Sequence, residues 1–228
     1  MRTLAIGDIH GCLTAFDHLL LHSKFSSKDT LITLGDYVDR GPDSKGVIDR
    51  LIAMHVQGNL IALRGNHEMM MLGAHVGGRD NIRFWLHFGG VETLESYALS
   101  SDQATLEDVP ETHWHFIKHT CIDWYETNSH IFVHAGLDPY LPMEQQRQEL
   151  LLWKAIEANT HESHISGKYL ICGHTEQRSG LPLLLGSDVC IDTWAYGEGW
   201  LTCLDVESGD FWQTNELGEE RSGHLLDL

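Results

Sequence analysis

Residues 32–41, ITLGDYVDRG, decide how the chain is built. The stretch opens as an apolar run and stops at Gly35. It then presents two carboxylates and a guanidinium in Asp36, Asp39 and Arg40. A solvated turn would account for one such stretch taken alone, but the pattern recurs. Strand-like runs also end in Gly7-Asp8-Ile9-His10, Gly65-Asn66-His67-Glu68, Val133-His134-Ala135-Gly136 and Cys172-Gly173-His174. Surface turns have no reason to place ligand-type side chains at five strand ends.

Working outward, Thr3–Ile6, 31–34 and 60–63 read as short buried strands. Between them, Leu13, Phe16, Leu19 and Leu20 fall at helical spacing, as do Val47, Ile48, Leu51 and Ile52, with Pro42 placed as a first helical residue and Gly58 as the stop. This β-α-β-α-β alternation predicts parallel pairing with right-handed crossovers. In such a sheet the carboxyl ends of the strands line one crevice, where ligands bind.

Residues 69–128 carry helical patterns (Ile82, Trp85, Leu86; Val91, Leu94, Ala98) and read as an insertion walling the cleft. Further strands are predicted at His130–Val133, 169–171, 189–191, 200–205 and 211–213, the last three as antiparallel hairpins. The segment 214–228 has no clear pattern and reads as a loose tail. With no repeat or linker, 1–228 is expected to form a single domain.

The formal net charge of −18 argues against a nucleic-acid-binding role. It leaves room for an anionic substrate where metal ions reverse the local field. No run of about 18 apolar residues exists to span a membrane, and Asp8 and His10 interrupt any signal-peptide core. Five scattered cysteines without a CxxC pair suit free thiols, so a cytoplasmic location is expected.

The candidate ligands at the strand ends are carboxylates, an amide oxygen and three imidazoles. That set suits divalent Mn, Fe or Zn and not a thiolate-bound structural zinc. Six ligands, one of them able to bridge, suit two ions about 3.5–4 Å apart, which can acidify water and clamp a phosphoryl oxygen.

Gly7-Asp8-Ile9-His10-Gly11, Gly35-Asp36-Tyr37-Val38-Asp39-Arg40-Gly41 and Gly65-Asn66-His67-Glu68 together resemble the signature of the calcineurin-like metallophosphoesterases. Within that family the chain is most similar to the bacterial serine/threonine protein phosphatase branch and to the symmetrical dinucleoside tetraphosphatases. Gly89-Gly90-Val91-Glu92-Thr93-Leu94 and Phe132-Val133-His134-Ala135-Gly136-Leu137 extend the likeness to small bacterial members. The resemblance implies a four-layer αββα sandwich with two mixed sheets in place of one parallel sheet. It implies that Asp8, His10 and Asp36 hold one metal, and that Asp36 bridges to a second held by Asn66, His134 and His174. Arg40 would grip the phosphoryl oxygens beside Asn66 and His67, His67 would protonate the leaving oxygen, and Asp39 would orient His67. Two divalent ions, Mn²⁺ first among them, and hydrolysis of a phosphoprotein or small phosphoester by a metal-bridging hydroxide follow from the same resemblance.

The chain departs from the family pattern in two places. Relatives carry an arginine in a Leu-Trp-x-Arg segment that here reads Leu152-Trp153-Lys154-Ala155, leaving Lys154, Arg178 or nothing in its place. Trp194 in Ile191-Asp192-Thr193-Trp194 stands where relatives have a small residue, and is expected to pack under the cleft. His113, His115, His119, His161 and His164 read as polar helix faces, Cys12 as a buried small residue, and the acidic run 216–220 as solvated surface.

The leading functional expectation is a serine/threonine phosphatase. The alternatives are a symmetrical diadenosine tetraphosphate hydrolase, which would want basic and aromatic residues near Arg79, Arg83 and Trp85, and a non-catalytic metal-binding scaffold. The intact Asp39–His67 pair argues against the scaffold, because proton transfer needs that pair and metal binding does not.

Overall fold

The computed structural model describes residues 1–98, 104–157 and 162–228. Among these, eleven strands form two mixed sheets. In the first, β1 (Thr3–Ile6), β2 (Thr30–Thr33) and β3 (Leu60–Ala62) run parallel. The sheet continues from β1 through β9 (Leu201–Asp205), β10 (Asp210–Thr214) and β11 (Glu220–His224), each antiparallel to its neighbour. In the second, β5 (His130–Val133), β6 (Tyr169–Cys172) and β8 (Asp188–Cys190) run parallel. The antiparallel strands β4 (Trp124–Glu126) and β7 (Leu183–Leu185) close its edges.

Side-chain alternation turns the two sheets into layers. Ala5, Ile32, Phe132, Ile171, Val189 and Leu204 fill the space between the sheets. Leu4, Ile6 and Leu31 point the other way, onto Phe16 and Leu19 of α1 (Leu13–His22) and Ile48 and Leu51 of α2 (Ser44–Gln57). Ile131, Val133 and Leu170 face Met143 and Leu151, the latter on a single short helix, Gln148–Trp153. Because both faces of the central strands are covered, they read as continuous apolar runs instead of alternating ones. Emptying the layer between the sheets, as in Phe132→Ala, would cost about 3–5 kcal/mol.

The single parallel sheet drawn from strand alternation is therefore two sheets. The strand near residue 189 pairs in parallel with β6, not in a hairpin with β9. The supposed tail contains β11, whose sequence ERSGH carries no apolar signal; its ladder to β10 and the Arg221 guanidinium, 4.2 Å above the Trp200 ring, hold it. In the acidic run, Glu216 accepts a 2.9 Å hydrogen bond from the Ala15 amide in the first turn of α1, so it is not free surface. Helix α2 starts after Pro42, with Asp43 as its cap accepting from the Gly46 amide at 2.8 Å.

The insertion is helical, with α3 (Asn66–Val76), α4 (Gly78–Trp85), a wide turn at Leu86–Gly90, α5 (Val91–Tyr97) and α6 (Glu111–His115). It ends sooner than expected, since residues 124–126 form the edge strand β4. No helix among the described residues is long and apolar enough to cross a membrane.

Candidate active site

The site forms where parallel strands of both sheets end. Asp8 and His10 follow β1; Asp36, Asp39 and Arg40 follow β2; Asn66 and His67 open α3 after β3; His134 follows β5 and His174 follows β6. Asp8, Asp36, Arg40, Asn66, His67 and His174 line one cavity of about 290 Å³. His10 and His134 are buried in its walls.

The chain bends sharply to bring them there. Among the described residues, seven non-glycine residues have positive φ, and five of them are His10, Asp36, Asp39, Arg40 and His174. Each such residue costs on the order of 1–3 kcal/mol, so the surrounding contacts must fix it. For Asp36, Glu68 does this: its carboxylate accepts from the amides of Asp36 at 2.8 Å, Tyr37 at 2.7 Å and Gly65 at 2.8 Å.

The imidazoles divide into two kinds by what stands behind them. His10 Nδ1 lies 2.9 Å from the Val38 carbonyl, and His134 Nδ1 lies 2.9 Å from the Leu34 carbonyl. A carbonyl only accepts, so Nδ1 carries the proton in both rings and Nε2 turns a lone pair inward. Burial pushes the pKa of both below the ordinary histidine value, His134 to about 4, so both rings are neutral. His174 has a backbone hydrogen bond to Trp153, and its Nδ1 faces inward.

Acceptors consequently face acceptors across the centre. Asn66 Oδ1 is 2.8 Å from His134 Nε2 and 3.1 Å from His174 Nδ1. Asp36 Oδ1 lies 3.5 Å from His134 Nε2, while its Oδ2 lies 3.5 Å from His10 Nε2. Convergent lone pairs without protons between them are a donor set for cations, and Asp36 offers one oxygen to each side. Among the described residues, two groups of ligand atoms are close enough to hold an ion: His10, Asp36 and His67, and Asp36, His134 and His174. Asp8 borders the cavity, but both its oxygens accept from the His174 amide, at 3.2 and 3.1 Å.

His67 is of the second kind. Its Nδ1 meets no carbonyl but Oδ2 of Asp39, at 2.7 Å. Burial works against a charged ring there, yet the Asp36 and Asp39 carboxylates outweigh it and raise the His67 pKa. Asp39 is fully buried and is fixed by Trp85 Nε1 at 2.9 and 3.0 Å and by the Thr93 hydroxyl at 2.7 Å.

A family profile described as calcineurin-like phosphoesterase matches residues 1–191. The chain belongs to that family. The phosphoesterase is 28% identical over 211 residues to serine/threonine-protein phosphatase 1 of Salmonella typhimurium, covering 89% of this chain and 90% of that protein. It is 44% identical over 104 residues to a symmetrical bis(5'-nucleosyl)-tetraphosphatase of an Acidovorax strain, covering 45% of this chain and 34% of that protein. A solved structure provisionally named a diadenosine tetraphosphatase superposes with a TM-score of 0.66 at 18% identity, covering 98% of this chain and 93% of the other, which supports the fold. The phosphoesterase is thus an enzyme of the metal-dependent phosphoester hydrolase class.

Several residues of the phosphoesterase that shape the site carried no readable signal of their own. The motif Gly89-Gly90-Val91-Glu92-Thr93 is legible in the sequence only as a resemblance, and the fold supplies its reason. Gly89, at φ +110°, accepts from the Arg40 amide at 3.1 Å, and a Cβ there would fall 2.6 Å from that nitrogen. Gly90 lets the Trp85 ring lie against the backbone, and Thr93 reaches Asp39. Glu176 and Tyr196 likewise carry no local signal. Glu176 Oε1 lies 3.3 Å from Arg40 NH1, and the Tyr196 ring lies 4.6 Å from the Arg40 guanidinium carbon.

Ala155 lines the cavity of the phosphoesterase, and neither candidate substitute for the missing arginine reaches it. Lys154 Nζ is tied to the Leu137 carbonyl at 2.6 Å, and Arg178 is exposed over the Trp194 ring at 5.0 Å. Trp194 stands edge-on to Tyr196, outside the cavity lining.

The other histidines of the phosphoesterase are less uniform than expected. His113 is not on a polar face; it is buried between the Tyr97 hydroxyl at 2.8 Å and Asp49 at 2.9 Å. His164 is buried too, on Ser166 and the Leu141 carbonyl. His115 and His119 lie on the insertion surface with rings 5.2 Å apart, and His161 lies outside the described residues. Cys12 is buried.

Proposed function

We propose that this phosphoesterase is a phosphomonoesterase of the serine/threonine protein phosphatase type, formed by one domain over 1–228 and acting in the cytoplasm. Asp8, His10 and Asp36 would hold one divalent ion, and Asp36, Asn66, His134 and His174 a second, with Mn²⁺ the first choice. When bound, such ions supply Lewis-acid charge to the phosphoryl oxygens and acidify water. The donor set fits them because its inward atoms are carboxylate and amide oxygens and the lone pairs of backbone-anchored rings.

The chain's own residues would do the rest. Arg40 presents a planar fork of donors to phosphoryl oxygens, beside the Asn66 side chain. His67, kept protonated by Asp39, gives its proton to the departing alkoxide.

The observation that carries the monoesterase reading is the coverage of relatives. The phosphatase aligns over 90% of its own length, whereas the Acidovorax tetraphosphatase aligns over 34% of its length and one from Ralstonia nicotianae over 50%. Site chemistry supports the same choice. Arg40 is the one Lys or Arg lining the cavity among the described residues, a poor match for a tetraphosphate chain. Trp85, which a nucleobase would want, is wholly buried on Asp39, and Arg79 and Arg83 are exposed away from the cavity.

Initial rates on chelator-stripped protein reloaded with Mn²⁺ test the proposal, comparing a phosphoserine peptide with diadenosine tetraphosphate and using Asp36→Asn as the control. Faster metal-dependent phosphate release from the peptide supports it. Faster nucleotide cleavage installs the tetraphosphatase, and inactivity on both substrates with metal bound installs the scaffold.

A further inference from the structure

We propose that Glu176 is a specificity-determining residue. Its carboxylate pairs with Arg40, an incoming phosphoryl group must open that pair, and the cavity thereby discriminates against each added negative charge. The inference rests on the reading of Arg40 as the phosphate grip.

Glu176 and Arg40 line the same cavity as Asp36, Asn66, His67 and His174, so the carboxylate faces the space where a phosphoryl group would sit. Both side chains are largely shielded, at 20% and 26% exposure, which keeps their charges from being fully screened. Glu176 Oε1 lies 3.3 Å from Arg40 NH1 and also accepts from the Tyr196 hydroxyl. Its Oε2 lies 3.3 Å from NH2 of the exposed Arg178. The carboxylate is thus fixed from two further sides and stays in place when Arg40 changes partner.

Arg40 has little freedom to serve both. Its amide is fixed on Gly89, and its guanidinium lies over the Tyr196 ring. A phosphoryl group taking two donors from the guanidinium competes with Glu176 for one of them, and meets a like charge in the act. Apart from bound metal ions, Arg40 is the one cation lining the cavity among the described residues, since Ala155 carries no charge and Lys154 is tied to Leu137. A monoester suffers the repulsion once; a polyphosphate brings further charges into the same field.

A purely structural Glu176, one that merely presents Arg40, predicts the opposite sign, and this makes the test decisive. Metal-loaded wild type, Glu176→Gln and Glu176→Ala are compared for inorganic phosphate affinity by calorimetry and for competitive inhibition by phosphate. KM is measured on a phosphoserine peptide and on diadenosine tetraphosphate, and thermal unfolding verifies the fold. Gln keeps an acceptor for Tyr196 and removes only the charge. The expected result is phosphate binding tighter by about three- to fivefold in both variants, with KM falling further for the tetraphosphate than for the peptide. Weaker or unchanged phosphate binding in both variants overturns the proposal. Phosphate affinity is read independently of which ester the wild type prefers, so a wild type faster on the tetraphosphate would sink the monoesterase reading and leave the sign of the Glu176 effect to be judged separately.

Discussion

His67 Nδ1 and Asp39 Oδ2 lie 2.7 Å apart in a buried pair, and Trp85 and Thr93 hold the carboxylate from behind. Three other rings that face the centre are backed by main-chain carbonyls, so the carboxylate behind His67 sets that ring apart, in keeping with the proton-carrying role proposed for it. Asp39→Asn is expected to lower kcat by about 10- to 100-fold on alkyl phosphate esters, whose leaving groups need a proton. On a nitrophenyl ester, whose leaving group needs none, the loss should be small. Equal losses on both would show that Asp39 acts on something other than proton delivery.

Ala155 borders the cavity, where Arg40 is the one Lys or Arg among the described lining residues. Ala155→Arg is expected to lower KM for small phosphate esters about tenfold, the effect of one added charge-assisted contact. Steady-state kinetics at fixed Mn²⁺ measure this. An unchanged KM would mean that the site does not lack a clamp.

A donor set of buried lone pairs gains stability when a cation fills it. Adding Mn²⁺ to stripped protein is expected to raise Tm in a concentration-dependent way, following mass action. Asp36→Asn should abolish most of the rise, since Asp36 belongs to both ligand groups. A mutant that keeps the full metal-dependent shift would place the ions elsewhere.

Away from the site, Arg2 NH2 lies 2.8 Å from Asp29, and that hydrogen bond holds the Asp29 pKa below the ordinary carboxylate value. A depressed folded pKa gives stability that is present above the unfolded value, about 3.9, and lost as pH falls below it. Asp29→Asn is therefore expected to cost about 1 kcal/mol at pH 7, allowing for partial exposure of Arg2. The gap in Tm between mutant and wild type should narrow as pH falls below about 4. A gap independent of pH would assign the effect to packing.

Much of the site was legible because its residues sit at strand ends, where an apolar run and a ligand-type residue are adjacent in the chain. Asp36 and His134 are 98 positions apart, yet each is announced by its own neighbours. Glu176, Tyr196, Thr93 and Trp85 have no such local signal. Their roles exist only through contacts with Arg40 and Asp39, which are more than 40 residues away in sequence. Positive φ at His10, Asp36, Asp39, Arg40 and His174 is likewise invisible beforehand, because only the surrounding packing forces a non-glycine residue into that region.

The sequence by itself determined the strand–helix order of the first 65 residues, the presence of ligand-type side chains at five strand ends and the family likeness. Local periodicity and motif spacing are properties of the chain, so they need no tertiary contact to be read. Only the tertiary structure decided that the strands part into two sheets, that the polar segment ERSGH pairs as β11, and that the Glu176 carboxylate stands against Arg40. Which sheet a strand joins depends on which faces find apolar partners, and an edge strand is held by backbone hydrogen bonds that carry no side-chain pattern.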